Sequence, residues 1–464
     1  QDNTAVGFGS LGNNTTASNN TAVGRSALVA NTTGTSNVAV GALTLDANTT
    51  GNQNIAVGKA ALGANTTGTA NTALGHAALV TNTTASNNTS VGWESMRYNT
   101  TGANNTAIGM EALKANTTGA QNTAIGRYAL QNNQTASGNT AMGYASLISD
   151  TTGYDNTAHG QNCLYNNTTG LSNTGIGKNA LLTNTTASQN TAVGSGALYT
   201  STTSDNVALG FNSAYSQTTG SNTLAIGRNA LFANTTGIQN VAVGNYALDA
   251  VTTSNYNVGV GYASLSSVTT GERNTGIGRS SGSALTTGSY GVFLGYNTRP
   301  SGASSDFVTA IGYNVEGAAE YTTIGKSSSD IRALHGNATW ATVSDERYKK
   351  DIEHSTVGLD FVNDLKPRTF NYRNKGDLPT TFAAYEKDST ETYKNSETNH
   401  GFIAQEVKAA IDAHPDIKNG FRMWDSRDDG SQEVSEAAVI PILVKAIQEL
   451  STEVNILKEK LNGK

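Results

Sequence analysis

One cysteine and five prolines in 464 residues are the first facts about this chain, and each scarcity excludes something. Cys163 stands alone, so there is no intrachain disulfide framework and no cysteine-cluster zinc site. Pro300 is the only proline before residue 341; Pro367, Pro379, Pro415 and Pro441 lie in the last quarter. Aromatic residues make up 7 % and charged residues 14 %. No apolar run approaches the roughly 20 residues of a membrane span. The net charge of −6 leaves no large basic surface, which argues against nucleic acid as the main partner. The sequence starts at Gln1, as expected of a secreted protein after removal of a signal. The charges are also uneven. Residues 1–340 hold 12 Lys/Arg and 13 Asp/Glu, whereas residues 341–464 hold 17 and 22. Two unlike objects are joined near residue 340.

What fills the first object is a repeat. The glycine closing each Asn-Thr-Ala-Val-Gly-like segment recurs every 17 residues from Gly7 to Gly194. After one step of 16 to Gly210, the 17-residue step resumes and runs to Gly312. Disordered low-complexity sequence does not hold register this long, so the pattern predicts a solenoid. Thr-Ala-Val-Gly reads as a short strand whose two small faces are both covered. The Ala-Leu pair (Ala27-Leu28, Ala61-Leu62, Ala129-Leu130, Ala230-Leu231) supplies one bulky apolar plug per coil. Asn-Thr-Thr-Gly reads as the corner, where Gly and Asn tolerate left-handed backbone. Eighteen steps between nineteen glycines predict a rod on the order of 85 Å. So thin a core predicts several chains sharing one.

The fold class expected is therefore mainly β: a parallel β-solenoid or β-roll over residues 1–312, homotrimeric, with a neck at 313–343 and a mixed α/β region at 344–464. Segments such as Asn20-Thr21-Ala22-Val23-Gly24 and Asn122-Thr123-Ala124-Ile125-Gly126 resemble the head repeats of trimeric autotransporter adhesins and related bacterial and phage fibre proteins. That resemblance implies a trimeric, left-handed parallel β-roll; the unit here is longer by its Ala-Leu and Asn-Thr-Thr-Gly stretch. After Gly278 the repeat decays, and Thr323-Ile324-Gly325 follows Gly312 by only 13 residues. Slack pairing is expected from 313 to 343.

The charged part opens on Ser344-Asp345-Glu346-Arg347-Tyr348-Lys349 and continues with Leu365-Lys366-Pro367-Arg368-Thr369-Phe370. Then come Gly401-Phe402-Ile403-Ala404-Gln405-Glu406-Val407 and a long terminal helix. In this order the segments resemble the self-cleaving intramolecular chaperone domain of phage tail spikes, endosialidases and related fibres. From Ile440 the apolar residues Leu443, Ile447, Leu450, Val454, Leu457 and Leu461 follow at steps of 3 and 4. That heptad seam predicts a coiled-coil helix over about 437–461; a helix packed on its own domain is the competing reading. By resemblance, Ser344 is a nucleophile and Lys349 its base, in a single-turnover endopeptidase cutting its own chain at Val343–Ser344. Asp345 and Arg347 match the motif as turn-holding residues, His400 matches a supporting position, and Lys350 is the neighbouring alternative base.

The residue after each marker glycine varies far more than the frame. Arg25, Lys59, Arg127, Lys178, Arg228 and Arg279 take this place, as do Phe8, Trp93, Tyr144, Phe211, Tyr262 and Tyr296. Stacked coils would align them as a candidate binding stripe for glycans or acidic polymers, or simply as a solvated face. The recurring Asn-Thr-Thr sequons read as glycan acceptors or as structural corners. Glu94, Glu111, Asp150 and Asp155 are read as occupying unrelated repeat positions, so no glycosidase pair stands out. His76, His159 and His335 lack ligand spacing; no metal and no cofactor is expected. The reading favoured is an extracellular fibre or adhesin, on a virion or cell surface, partnered by itself and a surface glycan or other receptor. The alternatives are a polysaccharide-degrading tail spike and an ice- or surface-binding solenoid.

Overall fold

A computed structural model describes residues 2–327, 329–336, 341–342, 344, 346–417, 421–427 and 429–463. It divides into two compact units, Gln1–Val343 and Ser344–Lys464.

The first unit is a parallel β-solenoid. Each coil contributes one short strand, and each strand lies in register beside its counterparts. Thr21–Val23 pairs with Thr4–Val6 on one side and Val38–Val40 on the other, Ala22 opposite Ala5 and Ala39. Twenty parallel strands follow one another this way, from Thr4–Val6 to Tyr321–Lys326. Nineteen steps of about 4.8 Å make a rod of about 90 Å. From Thr21–Val23 to Thr275–Ile277 the middle residue of each strand points inward, and it is small because the coil is narrow: Ala22, Ala39 and Ala56 are fully buried. Leu28, Leu62 and Leu79 fill the rest and are equally buried. Each coil closes around its own leucine, and the 17-residue loop is long enough to wrap it. In the single chain the first and third residues of the strand remain partly exposed.

The marker glycine is a backbone requirement. All nineteen have φ between +119° and +139°, a region nearly closed to other residues. A Cβ on Gly126 would also lie 2.5 Å from the carbonyl oxygen of Gly143 in the next coil. The corner glycine differs from the sequence expectation, since its φ is not left-handed. It avoids contact instead: a Cβ on Gly119 would approach the Ala136 carbonyl oxygen. Yet Ala17, Ala85, Ala136 and Ala187 occupy this corner in other coils, so a small shift accommodates it. Gly126→Ala is therefore expected to destabilise the rod by about 3 kcal/mol or more, and Gly119→Ala by about 1 or less. Urea unfolding of the two variants checks this; equal losses would contradict it.

Left-handed backbone falls elsewhere, on ordinary residues. In one coil Ser26, Leu28 and Ser36 have φ of 58°, 52° and 60°. An L-residue there costs about 1–2 kcal/mol, offset by hydrogen bonds between coils. Ser26 N–H donates to the Phe8 carbonyl, Leu28 N–H to Thr44 and Ser36 N–H to Ser18.

The corner asparagines act through their side chains. Asn48 Nδ2 donates to Asn31 Oδ1 one coil back at 2.9 Å and to the Gly51 carbonyl at 3.0 Å. Asn65, Asn82, Asn99 and Asn116 repeat the bond to the previous amide. A second ladder runs through Asn20, Asn37, Asn54 and Asn71, where each Oδ1 accepts the backbone N–H of the next asparagine. Both ladders are buried. An amide nitrogen buried and committed in this way is closed to glycan attachment, which decides between the two readings of those sequons. Where the corner residue changes, the ladder breaks. Asn133, Asn184 and Asn234 have an unpartnered Oδ1, and one coil on stand Asp150, Ser201 and Val251.

Past Gly312 the pairing is not slack. Ile311 lies opposite Ile324 and Gly312 opposite Gly325 in a parallel strand that absorbs the 13-residue step. Ser329–Leu334 then turns back antiparallel on Tyr321–Lys326, and Ala341–Thr342 pairs with it in turn. An antiparallel hairpin thus covers this end of the parallel sheet.

The second unit is a small α/β fold around three helices: α1 (Leu359–Asp364), α2 (Ala404–Ala413) and α3 (Ile440–Asn462). Two antiparallel strand pairs accompany them, Arg368–Phe370 with Asn399–Gly401 and Trp424–Ser426 with Gln432–Val434. The core gathers Phe361, Leu365, Val407, Ile411, Met423, Val439 and Ile442. Glu449 on α3 accepts the Leu359 N–H at 2.7 Å, joining the terminal helix to the start of α1. Ile442 and Ala446 turn inward. The heptad seam faces the other way: Ile447 and Leu457 are each 63 % exposed and Leu461 is 79 % exposed.

Candidate functional site

The second unit begins at the residues singled out for chemistry. Glu346–Tyr348 forms a single 3₁₀ turn, closed by the Lys349 N–H donating to the Glu346 carbonyl at 2.8 Å. The turn brings the Lys349 side chain back over the start of the unit, where its Nζ donates to Ser344 Oγ at 2.7 Å. That is hydrogen-bond reach for a nucleophile and its base. Both residues are exposed in the single chain. A lysine is a base only in its neutral form, which burial favours, so this chain alone does not supply the shield. Lys350 is exposed as well. His400 lies exposed in the strand Asn399–Gly401, opposite Thr369, and no hydrogen bond among the described residues joins it to Ser344 or Lys349. Arg347 is exposed on the turn. Val343 and Asp345 fall outside the described residues.

On the rod, the strip after the marker glycines is exposed along its length, including Arg25, Lys59, Trp93, Arg127, Tyr144, Lys178, Arg228, Tyr262 and Arg279. Several of its cations lie against rings on the strip or beside it. Arg279 sits 5.8 Å and 5.6 Å from the ring centres of Tyr262 and Tyr296, one coil to either side. Arg228 lies over Tyr246 and Arg127 over Tyr128. Tyr296 stacks on Tyr313 at 5.1 Å, so these rings offer edges outward more than faces. Trp93 is partly covered by Lys114, 5.7 Å from its centre.

Three further groupings escaped the sequence reading, although spacing near 17 reveals each. Tyr256, Arg273, Tyr290 and Phe307 form a second ladder, with Arg273 over both tyrosines and Tyr290 stacked on Phe307 at 4.8 Å. Tyr199, Tyr215 and Phe232 form a third. The last corrects an expectation. Glu94 and Glu111 are not at unrelated positions but 17 residues apart, and they share Lys114: its Nζ lies 2.8 Å from Glu94 and 3.4 Å from Glu111. Arg97 also pairs with Glu94. Burial pushes the Glu94 carboxyl up, but the hydrogen bonds and charges of Lys114 and Arg97 outweigh it and hold the group below the usual carboxylate range. A general acid needs the opposite shift. The pair is an ion-paired cluster, not a hydrolytic one.

Residues 344–414 match the family described as chaperone of endosialidase. The match starts at Ser344 and covers Lys349, α1 and α2, but neither the rod nor α3. No curated protein and no solved structure gave a match. No helix among the described residues is long and apolar enough to cross a membrane.

Proposed function

We propose that this chain is one strand of an extracellular, self-associating fibre of the tail-spike or adhesin kind, assembled as a homotrimer through its second unit. The observation that carries the reading is the seam of α3. Six apolar residues at heptad spacing face solvent, while only the first half of the helix, through Ile442, Ala446 and Glu449, packs on its own domain and the rest projects exposed on every side. Such a seam is stable only against copies of itself. The rod supports self-association too. The first and third residues of the nineteen strands from Thr4–Val6 to Thr309–Tyr313 carry no Lys, Arg, Asp or Glu, and the third is apolar in all except His159. Parallel sheets rarely leave such a face to water.

In this reading the second unit acts as a chaperone, in line with the description of the family model that matches its start, and is then cut away. Ser344 Oγ attacks the Val343 carbonyl carbon, Lys349 takes the hydroxyl proton, and the proton passes to the departing Ser344 nitrogen. Water then hydrolyses the ester, leaving a Val343 carboxylate and a free Ser344. Assembly supplies the missing shield by burying the exposed pair. The rod remains as the attachment surface, with the strip of cations and rings as its contact face and its likeness to adhesin head repeats in support.

Assembly is tested on the uncut Ser344→Ala chain by light scattering. A mass three times the single-chain 48.0 kDa is expected, falling to one chain when Leu450→Asp and Leu457→Asp are added. A single-chain mass before that change would remove the proposal.

A further inference from the structure

The strip after the marker glycines holds a second period. Taken coil by coil, every third coil places a base there: Arg25, His76, Arg127, Lys178, Arg228 and Arg279. The series continues past the irregular step. Tyr296 lies opposite Tyr313, and Tyr313 opposite Lys326, so Lys326 is the next third-coil residue in strand register. All seven are exposed. The other thirteen coils carry one base, Lys59, and no acid. Aromatic or neutral residues fill the gaps, among them Trp93, Tyr144, Phe211 and Tyr262.

We infer that this register is a binding line for a linear acidic polysaccharide with sparse, regularly spaced carboxylates, laid along the rod axis. Three coil rises put successive bases about 14 Å apart. That exceeds the screening length of about 8 Å at physiological salt, so the bases barely repel one another and each meets its own anion. A nucleic acid strand, with a phosphate every 3.4 Å or so, would leave most of its charges unmatched. Several of the bases are already positioned: Arg127, Arg228 and Arg279 each lie against a tyrosine ring. Less side-chain freedom is then lost when a ligand arrives. Between the bases, the exposed hydroxyls of Tyr144 and Tyr262 can hydrogen-bond sugar hydroxyls. The inference rests on the attachment reading and narrows it to one ligand class.

The test uses the assembled full-length fibre, with hyaluronan and gellan as sparse-charge probes, dextran as the neutral probe and single-stranded DNA as the dense polyanion. Binding to hyaluronan or gellan is expected, weakening as salt rises, with dextran inert. The triple variant Arg127→Gln, Lys178→Gln, Arg228→Gln should lose roughly tenfold in affinity, while Arg299→Gln, a base of the rod off the strip and ion-paired to Glu316, changes it less than about twofold. Equal losses from the two variants, tighter binding to DNA, equal binding to dextran, or no binding to either acidic chain would each overturn the inference. Attachment to cells retained by the triple variant would remove this line and leave the attachment reading standing.

Discussion

Ser344→Ala is expected to leave one full-length band on a denaturing gel where the unsubstituted chain gives two, residues 1–343 and 344–464. The effect is all or none because the serine is the atom source of the intermediate. Without Oγ no ester forms, and loss of a nucleophile of this kind lowers a rate on the order of 10⁶-fold. Lys349→Ala should behave the same way, since it removes the group 2.7 Å from Oγ that would take the proton. Lys350→Ala is the control: no hydrogen bond to Ser344 is found for it among the described residues, and cleavage should persist. Because the pair is exposed in the single chain, cleavage should also depend on assembly. Leu450→Asp with Leu457→Asp, in a chain that keeps Ser344, should therefore stay uncut. Two bands from Ser344→Ala would end the Ser–Lys reading. Two bands from the seam variant alone would end only the link to assembly.

The letters held most of the solenoid and little of how it is held together. The 17-residue step placed the strands, because a repeating strand-and-glycine unit has few ways to bury its apolar residues other than by stacking. The heptad spacing likewise placed α3 and its seam. What did not follow was the left-handed backbone at Leu28 and its equivalents. Leucine has no local preference for it; the hydrogen bond from the Leu28 N–H to Thr44, sixteen residues away, imposes it. The closed core was missed for a related reason: one leucine per coil looks too little until the loop is seen to wrap it. At the candidate site, the approach of Lys349 to Ser344 follows a resemblance and a five-residue spacing, but the exposure of both belongs to tertiary structure. Glu94 and Glu111 were legible. Their separation equals the repeat, which puts two acids on neighbouring coils wherever the coil folds.

Asp150→Asn should stabilise the rod, and the gain should grow as pH rises. Asp150 occupies a corner where the neighbouring coils have asparagine, and it is fully buried. Its carboxyl accepts from Asn167 Nδ2 at 3.0 Å and Asn139 Nδ2 at 3.3 Å, but it has no amide to donate back, and Asn133 Oδ1 is left without a partner. Burial pushes its pKa up to about 8 from an ordinary 3.8, against the opposing hydrogen bonds from Asn167 and Gly153. Between those two values the folded chain holds a proton that the unfolded chain has released. Stability therefore falls as pH rises from about 4 to about 8, then levels off, at roughly 1.4 kcal/mol per pH unit. At pH 7 the penalty is on the order of 4 kcal/mol. Asparagine carries no proton to lose and restores the donor, so the variant should unfold at a higher temperature than the parent at pH 8, with the gap nearly closed at pH 4.5. Comparing the two chains matters, because Glu94, Asp429 and Glu449 are held below the usual carboxylate range and slope the opposite way in both. A gap that stays constant across this range would show that the Asp150 charge is not what the fold resists. A variant less stable than the parent at pH 8 would mean that the acid is a preferred member of the ladder.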